Sequence, residues 1–139
     1  MSILDQVLAA NRHFVEHLPD EYIHYCPETS NLPTRKLAIF TCMDTRLVDF
    51  LEPAMGIKRG EVKMIKNAGN SVTGPFEATI RSLIVGIYEL GVKEVMVIGH
   101  LDCGIAHTSA ERLIQKMLER GISPDAIKMV EAELKNWID

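Results

Sequence analysis

Three residues with thiol or imidazole side chains stand where short apolar runs end. Cys42 closes "KLAIFTC", and His100 and Cys103 follow "EVMVI" inside "GHLDCG". Two thiolates and one imidazole form a Cys₂His donor set suited to tetrahedral Zn²⁺, with a fourth position still to fill. Structural zinc sites are usually closed by a fourth Cys or His, and no further one stands at a matching spacing. The candidates for that position are water and Asp44. A three-ligand zinc with an exchangeable position can acidify a water for catalysis. Each residue taken singly has a plainer reading. Cys42 alone would be a small core residue, Asp44 the N-cap of a helix starting near Arg46, and Arg46 a solvated charge. Their joint placement at equivalent strand ends favours the metal site, and Arg46 two residues after Asp44 favours a charge-assisted bond between them.

These positions can meet only if the chain folds as a sheet with its strand ends gathered on one rim. The apolar runs "KLAIFTC", "EVKMIK" and "KEVMVIG" read as strands covered on both faces, separated by helical patterns. Such an order predicts right-handed crossovers and an α/β fold with a mostly parallel sheet between helix layers. Ligands in such sheets bind beyond the carboxyl ends of the strands, which brings "CMDTR", "NAGN" and "HLDCG" to one place.

Helices fill the rest. Ser2 with Asp5 resembles a capping box for a helix near residues 3–17. The segment "PDEYIHYCPETSNLPTR" reads as an irregular connection, and "LVDFLEPAMG" as a short helix cut by Pro53. Pro75 is expected in the first turn of a helix through "FEATIRSLIVGIYEL", closed by Gly91. Thr108 with Glu111 is expected to cap a helix ending at Gly121, and Ser123-Pro124 to start a last helix carrying Ile127, Val130, Leu134 and Trp137 on one side.

Composition narrows the function classes. The 139 residues are 47% hydrophobic, enough for the core of one domain spanning 1–139. A formal net charge of -4 provides no basic field for nucleic acid. No apolar run is long enough for a membrane span, and the N-terminus lacks a charged segment followed by an apolar one. Three cysteines without a secretory signal predict reduced thiols and a cytoplasmic location.

Several residues carry plainer expectations. His13, His17 and His24 read as surface residues, His107 as a residue preceding the Thr108 cap, and Asp102 as loop-stabilising. Cys26 with His24 is a weak second metal candidate. Asn67, Gly69 and Asn70 are either turn formers or a loop whose backbone and amides line a substrate pocket.

C-x-D-x-R after the first strand, N-A-G-N after the second and H-x-x-C-G after the third, in that order, resemble the β-class carbonic anhydrases in their shorter microbial form. The resemblance runs from near Met1 to about Gly121. It implies Cys42, His100 and Cys103 as zinc ligands, Asp44 and Arg46 as the catalytic pair, and Zn²⁺ as cofactor. It further implies reversible hydration of CO₂ to bicarbonate and a proton by zinc-bound hydroxide, in a homodimer or higher homo-oligomer. Asp44 on the metal would exclude water, so an Arg46 that holds the carboxylate off would act as a gate. Two thiolates leave the zinc less positive than three imidazoles would, so activity is expected to rise on the alkaline side of neutrality. Members of the family usually continue into a further helix and a closing edge strand, whereas this sequence stops at "KNWID", so the expected domain lacks that strand.

Three alternatives use the same residues. One is a CS₂ or COS hydrolase at the same zinc site, and another is a catalytically silent zinc-binding module. The third is a thiol phosphatase or transferase with Cys42 as nucleophile, which leaves His100 and Cys103 unexplained.

Overall fold

The computed structural model describes residues 1–23 and 31–139. The described residues form two compact units, within residues 1–31 and 32–139.

The first unit holds helix α1, Ile3–Glu16, and the short helix α2, Asp20–Ile23. The expected capping box starts α1: Ser2 Oγ accepts from the Asp5 amide, and the Asp5 carboxylate accepts from the Ser2 amide. Phe14 meets Tyr22 edge to face, with ring centroids 5.4 Å apart. No residue of α1 is buried, so its apolar stripe of Ile3, Leu4, Val7, Leu8 and Phe14 is exposed.

The second unit is built on three strands: β1, Leu37–Cys42; β2, Val62–Asn67; and β3, Glu94–Ile98. They lie in the order β2-β1-β3, all parallel, with helices at their flanks, in agreement with the expected α/β fold. β1 is the central strand. Ala38, Ile39, Phe40, Thr41 and Cys42 are all buried, because a strand with a neighbour on each edge and cover on both faces has no route to water. The register sets Ile39 between Met64 and Met96, and places Cys42 opposite Asn67.

Coverage of both faces holds for β1 and fails for β3, where Val95, Met96 and Val97 are all exposed, Val97 by 61%. β3 is an edge strand here, and no described element pairs with its outer side.

The connections depart from expectation in four places. Glu77 sits in extended backbone and its Oε1 accepts from the Ile80 amide at 3.0 Å, so helix α4 runs Ala78–Tyr88 and Pro75 precedes it. Ser109, not Thr108, caps helix α5, Ala110–Glu119: its Oγ accepts from the Arg112 amide, while the Thr108 amide closes the preceding 3₁₀ turn, Gly104–His107. The last helix is two, α6, Pro124–Lys128, and α7, Glu131–Ile138. The Met129 and Val130 amides donate to Ala126 and Ile127 carbonyls, tightening the end of α6, and Val130 leaves helical geometry. Pro53 lies within the four-residue helix α3, Leu51–Ala54, not at its end.

Candidate metal centre

The end of β1 is fixed laterally on both sides. Thr41 is fully buried and its Oγ1 donates to the Ile98 carbonyl at 2.8 Å, tying β1 to the last residue of β3. On the other side the Met43 amide donates to the Asn67 carbonyl, continuing the ladder one residue past the end of β1. Cys42 therefore stops beside the "HLDCG" loop. Its side chain is buried against Leu47 and Leu51, with Met55, Ile98 and Cys103 around that cluster.

The donor atoms of Cys42, His100 and Cys103 all lie within 4.8 Å of one another, and the two sulfurs are 3.8 Å apart. Among the described residues this is the one cluster of three or more His, Cys, Asp or Glu donors that converges so closely. Nδ1 of His100 stands 2.9 Å from the Leu101 carbonyl. A proton on Nδ1 satisfies that carbonyl and leaves Nε2 with a free lone pair. Nε2 is buried and makes no hydrogen bond. A buried nitrogen acceptor without a protein partner, beside two sulfurs, is costly unless a borderline-soft cation satisfies it. The donor set thus fits a zinc ion on geometry and chemistry.

The electrostatics agree. Burial opposes ionisation of Cys42, but the nearby His100 ring, the Gly69 and Asp44 amides and the Cys103 thiol outweigh it, lowering the thiol to about 7. The same sulfur raises His100 above the usual histidine range.

Asp44 and Arg46 lie on the rim. The Asp44 carboxylate caps the 3₁₀ turn Thr45–Leu47, its Oδ1 accepting from the Arg46 amide at 2.9 Å. It also receives the guanidinium edge-on, Arg46 Nε to Oδ1 and Nη2 to Oδ2, both 2.9 Å. The capping role and the ion pair coexist. Hydrogen bonds from the Arg46 side chain hold the Asp44 carboxyl far below the usual carboxylate range, and Asp44 raises the guanidinium in turn. Asp44 Oδ2 is 3.8 Å from His100 Nε2, next to the three donors.

The "NAGN" loop meets the site through its backbone. Asn67 uses its amide within the loop and on α4, donating to the Ser71 carbonyl and Thr79 Oγ1 and accepting from the Ser71 amide. Gly69 adopts φ 74°, and a Cβ there would stand 3.1 Å from Ile105 Cβ, so this loop presses on the turn that follows Cys103. Asn70 also has positive φ. A cavity of about 190 Å³ opens between this loop, Thr73, Glu77 and Trp137.

Asp102, expected to stabilise its loop, also reaches beyond it. Its carboxylate and its carbonyl both take hydrogen bonds from Arg46, and His107 Nε2 is 3.0 Å from its Oδ1. A residue tolerant of positive φ between two donors was the sequence signal for this arrangement. His13 on α1 and His17, its C-cap, are exposed and stack with ring centroids 4.3 Å apart. The Cys26–His24 candidate lies outside the described residues. Among those residues no helix is long and apolar enough to cross a membrane.

The carbonic anhydrase family model matches residues 37–136. The Bacillus subtilis protein YtiB, provisionally named a carbonic anhydrase, is 44% identical over 131 residues, spanning 94% of this chain and 68% of that one. A carbon disulfide hydrolase of an Acidianus strain is 32% identical over 95 residues, 68% of this chain and 44% of that one. The crystal structure of β-carbonic anhydrase isoform I from Trichomonas vaginalis superposes with a TM-score of 0.90 at 42% identity, covering all of this chain and 74% of that one. A family match across the sheet and both donor-bearing strand ends, joined to identity and fold of this extent, carries one conclusion: the chain belongs to the β-carbonic anhydrase family.

Proposed function

We propose that this chain is a zinc-dependent enzyme that interconverts CO₂ and water with bicarbonate and a proton. The observation that carries the reading is the convergence of Cys42, His100 and Cys103, with the Asp44–Arg46 pair at 3.8 Å from the imidazole. Those three residues would hold the ion, which supplies Lewis acidity that makes water a nucleophile near neutral pH. The thiolates of Cys42 and Cys103 temper that acidity by neutralising charge, so activity rises towards alkaline pH.

The remaining residues orient and exclude. The Leu101 carbonyl holds the His100 proton on Nδ1, keeping Nε2 a donor to the metal. Arg46 engages both Asp44 oxygens, which would keep that carboxylate away from the ion and leave room for water. Asp44, ionised throughout the physiological range, would accept a hydrogen bond from the reacting water and so turn that water's oxygen lone pair towards the carbon of CO₂. Leu47 and Leu51 close the apolar floor behind Cys42 and exclude bulk solvent from that side.

Stopped-flow CO₂ hydration across pH, on protein of measured zinc content, tests the reading. Hydration that scales with zinc and climbs above neutral pH supports it, and fully loaded protein without turnover ends it. The carbon disulfide hydrolase relative favours one rival, hydrolysis of CS₂ or COS at the same site. Release of H₂S from CS₂ without CO₂ hydration selects that rival. The exposed apolar positions of α1 and β3 support a homodimer or higher homo-oligomer, which light scattering of the purified chain measures directly.

A further inference from the structure

Arg46 is held from two sides. A guanidinium has five N–H groups. On one side Nε and one Nη2 proton reach Asp44; on the other, Nη2 also donates to the Asp102 carbonyl at 2.8 Å and Nη1 to Asp102 Oδ2 at 3.2 Å. Asp102 lies between His100 and Cys103, in the left-handed region at φ 54°, and that conformation lets one residue present carbonyl and carboxylate together to the same guanidinium. Its second oxygen faces His107 Nε2, and the His107 carbonyl in turn accepts from Arg112 Nη1 of α5 at 3.3 Å. A chain of contacts therefore runs from α5 through the turn and the donor loop to the Asp44–Arg46 pair.

Stability does not account for it. Asp102 and Arg46 side chains are 71% and 57% exposed, and ion pairs that open to water contribute little to folding. What the arrangement does achieve is to remove rotamer freedom from a long side chain at the point where its direction matters. The bonds to Asp102 and to Asp44 use different N–H groups, so the two aspartates do not compete for Arg46.

We propose that Asp102 is a positioning residue: by fixing the far side of the Arg46 guanidinium it keeps Arg46 on Asp44, and so keeps the Asp44 carboxylate off the metal position. The proposal deepens the zinc-enzyme reading and rests on it for its catalytic consequence. The bracket of Arg46 between two aspartates does not depend on the substrate.

Two variants suit the backbone. Asp102→Gly removes the carboxylate at a φ that glycine adopts freely, and Asp102→Asn removes the charge at a φ that asparagine tolerates. The first measurement is the heteronuclear NOE of the Arg46 Nε–H in ¹⁵N-labelled, zinc-loaded full chain, the signal being assigned by its loss in Arg46→Lys. Wild type is expected to give backbone-like rigidity, Asp102→Gly a mobile side chain, and Asp102→Asn an intermediate value. The second is thiocyanate binding to the cobalt-loaded chain, read from its visible spectrum, which reports access to the fourth position. Asp102→Gly is expected to weaken it by up to about five-fold, the range set by an exposed ion pair, with metal content unchanged. A mobile Arg46 in wild type, or rigidity and thiocyanate binding unaltered in both variants, overturns the proposal. Failure of the zinc-enzyme reading is separable: it shows as loaded wild type without CO₂ hydration, while the NOE results still decide the role of Asp102.

Discussion

Gly69→Ala tests the contact through which the "NAGN" loop presses on the donor loop. Gly69 has φ 74° and ψ 13°, a conformation that costs an L-residue about 1–2 kcal/mol. The added Cβ would sit 3.1 Å from both Cβ and Cγ1 of Ile105 and 3.3 Å from Cγ2, so Ile105 must yield by a few tenths of an ångström. Ile105 is half-buried and has room to do so, which places the overpacking near the low end of its usual range, about 1 kcal/mol. The sum is about 2–3 kcal/mol, and at about 3–4 °C per kcal/mol for a chain of this size the melting temperature falls by roughly 6–12 °C. The Gly69 amide is also one of the groups that lower the Cys42 thiol, so displacement of the loop moves that pKa up from about 7. Circular dichroism on the metal-loaded chain gives the first quantity, and ultraviolet thiolate absorbance on the metal-free chain gives the second. Gly69→Asn separates the two contributions, since asparagine tolerates positive φ and retains the clash. A Gly69→Ala variant melting within about 2 °C of wild type, with the Cys42 titration unmoved, refutes the reasoning.

Cys42→Ser removes one of the two soft donors, and zinc measured by atomic emission is expected to fall from about one per chain to background after dialysis, because hydroxyl is no substitute for thiolate at neutral pH. Arg46→Ala keeps all three donors, so zinc content stays at wild type, while the freed Asp44 turns to the metal and CO₂ hydration falls by about 10²-fold; undiminished turnover in the loaded variant counts against the gate. In the metal-free chain, Cys42 ionises near pH 7 where an ordinary thiol ionises near 9.0. Because the folded-state pKa is the lower one, this group's contribution to metal-free stability is complete above about pH 9 and is lost as pH falls through 7. Zinc must likewise displace a Cys42 proton below pH 7, so chelator competition should show affinity dropping about tenfold per pH unit there for that proton alone, and a flat profile from pH 8 to 6 contradicts the assigned pKa.

How much of this was legible in the sequence follows from the range over which each feature is determined. The strands were, since β1 and its neighbours are short apolar runs with helices between them, and that order admits few sheets. So was the convergence of Cys42, His100 and Cys103, because parallel strands bring their carboxyl ends to one rim whatever the length of the crossover. The Asp44–Arg46 bond spans two residues and is local. Helix starts were harder. Thr108 and Ser109 are both good caps, as are several residues near Pro75, and the choice between neighbours depends on whether the preceding turn uses the amide first, as Thr108 does in closing the turn Gly104–His107. The exposure of β3 was not legible at all. "EVMVI" reads the same whether this chain, a copy of it or water meets its faces, because an apolar pattern records that a surface is to be covered and not by what. The reach of Asp102 to Arg46 was hidden for a related reason. Its partner Arg46 is remote in sequence, and the contact exists only because φ 54° turns two oxygens of one residue the same way. What identifies such a residue is the unused hydrogen-bonding capacity of the group it serves: two aspartates flank one guanidinium, and only when Arg46's donors are counted atom by atom does the second acquire a reason.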